Sequence, residues 1–153
     1  MNIKKVIAQL KRRYPSKNIV ITDPKDPTEI ICEIEPTEFH PTRSTAVAVV
    51  DKIRPHYHLK LTEVYEVIRG TLTIHLGGKM YIVHKNEKIE IKPNTIHWAE
   101  GDETCFFAHS RPGWIPEDHI LVFAKREISR KAYDSPGNQN EIVRGTSNVP
   151  SKK

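Results

Sequence analysis

Gly77-Gly78 stands between two short runs of strand-forming residues, 72–76 and 79–83, and both glycines accept the positive φ that a two-residue hairpin demands. The same punctuation recurs along most of the chain. The run 64–68 stops at Gly70, and 88–91 lies between Lys85-Asn86-Glu87 and Pro93-Asn94. The run 104–109 stops at Arg111-Pro112-Gly113, and 120–124 follows it. Upstream, 17–22, 30–35 and 45–50 are separated by Asp23-Pro24-Lys25-Asp26-Pro27 and by a loop through Pro41. Prolines fix φ and remove donors, so these breaks end strands. Many short strands at this spacing confine the chain to an all-β barrel or sandwich. Along 30–35, Ile30, Cys32 and Ile34 alternate with Ile31, Glu33 and Glu35, which predicts a strand with one wetter face.

One segment has a different period. Ile3, Val6, Ile7 and Leu10 follow i, i+3, i+4, i+7, which predicts a helix over 2–13 that Pro15 terminates. So short a helix is marginal alone, and its apolar stripe is expected to dock on the barrel or on a partner subunit. The predicted organisation is an N-terminal helix in 1–16, a β-barrel domain in 17–127 and a polar, mobile tail in 128–153. A length of 153 residues suits one domain with one core.

No apolar run approaches the ~20 residues of a membrane span, and the first residues carry no secretory pattern. The expected location is cytoplasmic, with no membrane partner. Cys32 and Cys105 are far apart and build neither a disulfide framework nor a zinc ribbon. The net charge of +5 resides at the two ends, whereas the middle of the chain has more acids than bases. A basic patch confined to the ends is read as solvated terminal segments, not as a nucleic-acid footprint.

The chemistry concentrates in His56-Tyr57-His58, then Glu63, then Gly70. On a strand, residues i and i+2 share a face, so His56 and His58 aim two imidazoles at one point. A break at 59–62 re-aims the chain and lets Glu63 join them. His97 follows the Pro93-Asn94 turn and supplies a third imidazole. Three imidazoles and one carboxylate suit one divalent transition metal (Fe, Mn, Ni, Zn, Co or Cu), and do not suit Mg or Ca.

These residues resemble the motifs of the cupin superfamily, in particular its small single-domain, cupin-2-like members. The first motif, G-x5-H-x-H-x3–4-E-x6-G, is matched from His56 through His58 and Glu63 to Gly70, with Val50 at the leading glycine. The second, G-x5-P-x-G-x2-H-x3-N, is matched at His97. Asn86 and Asn94 stand at its two glycines, Lys92 at its proline and Gly101 at its final Asn. Asn enters the left-handed region more readily than most residues, so these exchanges are mild. The resemblance spans roughly residues 45–124. It implies a double-stranded β-helix (jelly-roll) barrel with His56, His58, Glu63 and His97 as the metal ligands. It also implies a homodimer paired through N-terminal strands, here the segment 17–35. The segment 110–119 resembles the Ser-x-Pro-x-Trp-x-Pro-x-Asp-His stretch of some small cupins, and is either a lid or a structural loop.

Around this set, Tyr65 and Val67 share a face with Glu63 and are candidate cavity residues; Tyr65 is either a ligand donor or a packed core residue. Trp98 is read as a rim or packing residue, and His109 as a candidate to hold a metal ligand from behind. His40, His75 and His84 are read as surface or loop histidines. Four protein ligands on a six-coordinate ion leave about two positions open, as a catalytic site requires. The expected function is an enzyme on a small polar molecule, through dioxygenase-type oxidation or sugar/keto isomerisation. In the second case Glu63 and Tyr65 are the candidate catalytic residues. The alternative is a non-catalytic module that binds a small ligand or metal. Inward Lys or Arg would favour an isomerase that grips a phosphate or carboxylate.

Overall fold

The computed structural model describes residues 1–123 of the chain. The predicted tail at 128–153, and the segment from 124 that the sequence assigns to the last strand and the end of the barrel, lie outside the described residues. Helix α1 spans Ile3–Arg13 and is capped by Asn2, whose side chain accepts from the Lys5 amide. Nine strands follow: β1 (Ile19–Ile21), β2 (Glu29–Glu35), β3 (Ser44–His58), β4 (Thr62–Arg69), β5 (Thr71–Leu76), β6 (Lys79–His84), β7 (Lys88–Ile91), β8 (His97–Arg111) and β9 (His119–Leu121). A 3-10 turn, Pro116–Asp118, precedes β9.

All the strand pairs are antiparallel, in the order β1-β2-β3-β8-β4-β7, with β5 on β8, β6 on β5 and β9 on β3. Two long strands carry the architecture. β3 runs between β2 and β8, and its last three residues pair with β9. β8 pairs with β5 through its first half and with β4 through its second. The result is an all-β barrel, as the turn spacing predicts, and of the cupin type that the motif resemblance implies.

Strand parity divides the core in two. Ala48, Val50, Ile53, Tyr65, Val67, Leu72, Ile74, Ile91 and Phe106 fill the barrel. Ile30, Cys32, Val47 and Val49 face the other way and meet Val6 and Leu10 of α1. The helix therefore docks on its own barrel. Lys5 holds its start through Glu103 at 2.9 Å. Both cysteines are free; Cys32 is buried and Cys105 half-buried in this outer cluster.

The turns behave as their residues dictate. Gly77 and Gly78 both have positive φ, at 57° and 83°. Asn86 and Asn94 take φ 71° and 60°, so each asparagine adopts the left-handed conformation that the cupin motif assigns to glycine. The largest difference from the sequence reading is β8. It begins at His97, not at residue 104. Its first half, His97 to Glu103, contains Gly101 and Asp102 and reads as a loop. Pairing with β3 and β5 on either side, through a register shift opposite Val50 and Lys52, overrides that local signal. Among the described residues, no helix is long and apolar enough to cross a membrane.

Candidate metal centre

The last turn of register in β3 brings the ligands together. His56 is the cross-strand partner of His97, and their rings lie 4.1 Å apart. His58 shares the inward face with His56 two residues on. Glu63, the second residue of β4, enters beside them after the turn at 59–61. All four side chains are buried, and one donor atom from each falls within 4.8 Å of every other. Glu63 Oε2 is 3.4 Å from His58 Nε2 and 3.5 Å from His97 Nε2. Ligands held ~2.1 Å from one ion lie about 3–3.5 Å from each other.

The backbone sets which ring nitrogen faces inward. His56 Nδ1–H donates to the Arg54 carbonyl at 2.8 Å, His97 Nδ1–H to the Thr95 carbonyl at 2.9 Å, and His58 Nδ1–H to the Asp118 carbonyl at 3.2 Å. A carbonyl offers only lone pairs, so each Nδ1 must carry the proton. In a neutral ring Nε2 is then a bare lone pair turned into the site. Nε2 of His58 and His97 and Oε2 of Glu63 have no hydrogen-bond partner despite full burial. Lone pairs aimed at one another in a dry site need a cation between them. The donor set thus fits a divalent transition metal.

Electrostatics agree. Burial, followed by the rings of His97 and His119, pushes His56 down to about 3, so it is neutral and free to ligate at neutral pH. Burial alone would raise Glu63, but positive charge on the facing His58 and His97 rings outweighs it and holds the carboxyl below the ordinary range; a cation among neutral rings would act in the same sense.

Of these groups, His56 and Glu63 line a cavity of about 620 Å³, and His58 and His97 lie behind them. Ala46, Ala48, Ile53, Phe106 and Ala108 supply apolar wall, and Trp114 and Ile115 stand at the mouth. Tyr65 both packs, on Phe106 at 4.5 Å, and lines the cavity. Burial first, then the Glu63 and Glu29 charges, push its hydroxyl well above the ordinary tyrosine value, so it keeps its proton. Val67 shares that strand face but packs into the barrel core below the cavity. The segment 110–119 supplies part of the cavity wall and is tied to the loop after β2 and to the start of β3. Thr37 Oγ1 donates to the Trp114 carbonyl at 2.6 Å, and the Trp114 amide donates to Ser44 Oγ at 2.9 Å.

His109 does not back a ligand. Its ring contacts Glu66 and Thr45, each at 3.3 Å, on the face of β8 opposite to that of Ala108 and the cavity. Backbone carbonyls hold the ligand rings instead. Trp98 stacks on His75 at 4.4 Å, a packing contact.

Three site residues lie outside the two metal-ligand motifs, two of them, Asp118 and His119, at the end of the 110–119 stretch. His119 stacks on His56 at 4.2 Å, and burial lowers its basicity. Asp118 is buried, and its carboxylate accepts from the Lys60 and Leu61 amides. Glu29 lines the cavity from β2; burial pushes its carboxyl up to about 7. For Glu29 the signal was present in the sequence, since it continues the wetter face of Ile31, Glu33 and Glu35.

No family model matches the sequence, and no curated protein matches it. Solved structures do match. A cupin-2 domain from Rhodospirillum rubrum superposes with TM-score 0.61 at 11% identity, over 80% of this chain and 85% of that one. A cupin-like protein from Thermotoga maritima gives 0.54 at 20% identity, over 68% and 84%. The fold is that of the cupins. Pac13 from Streptomyces, described as a nucleoside dehydratase, shares this cupin fold with TM-score 0.56 at 14% identity, over 65% and 84%. At these identities the likeness establishes the fold, and the chemistry rests on the residues of this chain.

Proposed function

We propose that this cupin-fold chain is a metal-dependent enzyme that moves a proton on a small polar molecule, in an isomerisation or an elimination. One observation carries the reading. Two of the four convergent donors, His56 and Glu63, open into a cavity that Tyr65, a proton donor, and Glu29, a carboxyl poised near neutrality, also line. His56, His58, Glu63 and His97 would hold the ion, which when bound offsets negative charge developing on a substrate oxygen.

Tyr65 keeps its proton and donates it to that oxygen. Glu29 has the affinity that suits a general base at neutral pH. Glu63, flanked by His58 and His97, stays with the ion. The apolar wall excludes water from the reacting atoms. That a cupin of similar fold is a nucleoside dehydratase supports elimination as one such reaction.

Elemental analysis comes first. About one equivalent of transition metal is expected in the wild type and none in the His56→Ala, His58→Ala double variant. The loaded protein is then incubated in D₂O with small polyols, ketoses and nucleosides, and oxygen uptake is followed. Deuterium entering a C–H position, or loss of water, without oxygen uptake supports the reading. Oxygen uptake makes the protein an oxygenase, and neither signal makes it a binding module. We further infer a twofold dimer through β1, which pairs with β2 alone among the described strands. A monomer by light scattering rejects that pairing.

A further inference from the structure

The cavity wall has a charge pattern that the metal-ligand motif does not explain. Glu29, Glu33 and Glu35 of β2 all line it, and Glu38 adds a fourth carboxylate from the following loop. Among the described residues, no Lys or Arg lines the cavity. Parity sets Glu29, Ile31 and Glu33 on one face of β2, and a register shift between Glu33 and Glu35 then places Glu35 opposite Thr45, still at the cavity wall.

The carboxylates are positioned more than they are neutralised. Asn18 Nδ2 donates to Glu33 at 2.6 Å and Thr45 Oγ1 donates to Glu35 at 3.0 Å; both donors are uncharged. Arg43 approaches Glu35 only at 4.0 Å and is largely exposed. Lys17, the other cation nearby, donates to the Ile34 carbonyl and not to a glutamate. At the floor, Glu63 is 6% exposed, lines the same cavity, and turns an unpartnered oxygen into the site.

Like charges in a row on an apolar-backed wall repel one another and focus a negative potential into the cavity. Such a wall repels a phosphate or carboxylate tail and attracts a cation. We propose, given a metal at the floor, that this cavity selects a small amine. Its oxygens reach the metal, and its protonated nitrogen lies along the Glu33–Glu35 wall.

Three catechols test this, because they share a metal-chelating head and differ in the charge of the tail. Dopamine is cationic, 4-methylcatechol neutral, and 3,4-dihydroxyphenylacetate anionic. Binding to zinc-loaded protein is measured by calorimetry, with metal content verified beforehand. Dopamine is expected to bind about ten-fold or more tighter than the anionic analogue, with the neutral one between. In the Glu33→Gln, Glu35→Gln variant the ratio is expected to fall to about three-fold or less. Raising salt from about 50 to 500 mM should weaken dopamine and leave 4-methylcatechol unchanged, a readout that needs no variant.

Equal affinities, or a preference for the anion, in metal-loaded protein overturn the amine assignment and leave the metal centre standing. A preference that survives unchanged in the folded double variant overturns the role of these carboxylates. Protein that takes up no zinc removes both readings together.

Discussion

Glu29 is half-buried, and its carboxyl rises from 4.5 to about 7. Burial is the main cause, opposed by Thr22 and reinforced by the Glu63 charge. Below pH 4.5 the group is protonated in both the folded and the unfolded chain. As pH rises from there to about 7, the unfolded chain releases this proton while the folded chain keeps it, so stability falls across that window and then levels. Partial exposure reduces the cost to about 1–3 kcal/mol. Glu29→Gln carries no such cost. It is expected to match the wild type near pH ~4 and to exceed it by that amount near pH ~8 in denaturant titrations. A difference that does not vary with pH rejects the burial argument. The convergence of His56, His58, Glu63 and His97, by contrast, was legible one residue at a time. His-x-His fixes parity on a strand, Glu63 follows a break, and His97 follows a turn that Asn94 closes at φ 60°. Gly70 is the other motif residue with a visible reason: its φ is 84°, and an added Cβ would meet Thr104 Oγ1 at 2.9 Å. Gly70→Ala is expected to lose about 1–3 kcal/mol in the same titration.

At the scale of elements, legibility followed periodicity. The helix was readable because four apolar residues fall on one face, and the structure packs that face on Ile30, Cys32, Val47 and Val49. Leu10 is 5% exposed there, so Leu10→Ala is expected to destabilise by about 2–4 kcal/mol with metal content unchanged. The first half of β8 was not readable, since Gly101 and Asp102 carry turn chemistry and pairing of the preceding residues with β3 and β5 carries the strand through the register shift in which they lie. Pro116–Asp118 stood out as part of the 110–119 stretch, but its role was illegible, because that role lies in contacts distant in sequence. The Asp118 carboxylate satisfies the amides of Lys60 and Leu61, and its carbonyl orients His58. One residue therefore ties the mouth of the cavity to the turn between β3 and β4. Asp118→Ala strands those amides, at about 1–3 kcal/mol, and loosens His58. Metal affinity is expected to drop roughly 10- to 100-fold in competition with a chelator, while His109→Ala leaves it unchanged. A fall in stability with no change in affinity would make the tie structural only.

For the molecule as a whole, the fold does not wait for the metal. The barrel core from Ala48 to Phe106 and the outer cluster beneath α1 are closed by apolar contacts, whereas the donors converge at the floor of a cavity. A chain built this way folds first and then offers a rigid, unsatisfied set of lone pairs. This differs from small metal domains, whose folding free energy is the metal's binding free energy. Two consequences separate these cases. Stripping the metal should leave a cooperative unfolding transition, and restoring it should raise stability only by mass action, about 2.7 kcal/mol at a hundred-fold excess over Kd. For a chain of this size that is a rise in Tm of roughly 5–11 °C in a thermal scan with zinc or manganese. The His56→Ala, His58→Ala variant should show none of it. Magnesium should also fail, because three of the four donors are imidazoles and that ion prefers oxygen and retains its water. Equal stabilisation by magnesium and zinc would mean that surface carboxylates, not the buried donors, are responsible. Loss of the cooperative transition on stripping would mean that the metal organises the barrel, and the order of folding inferred here would be reversed.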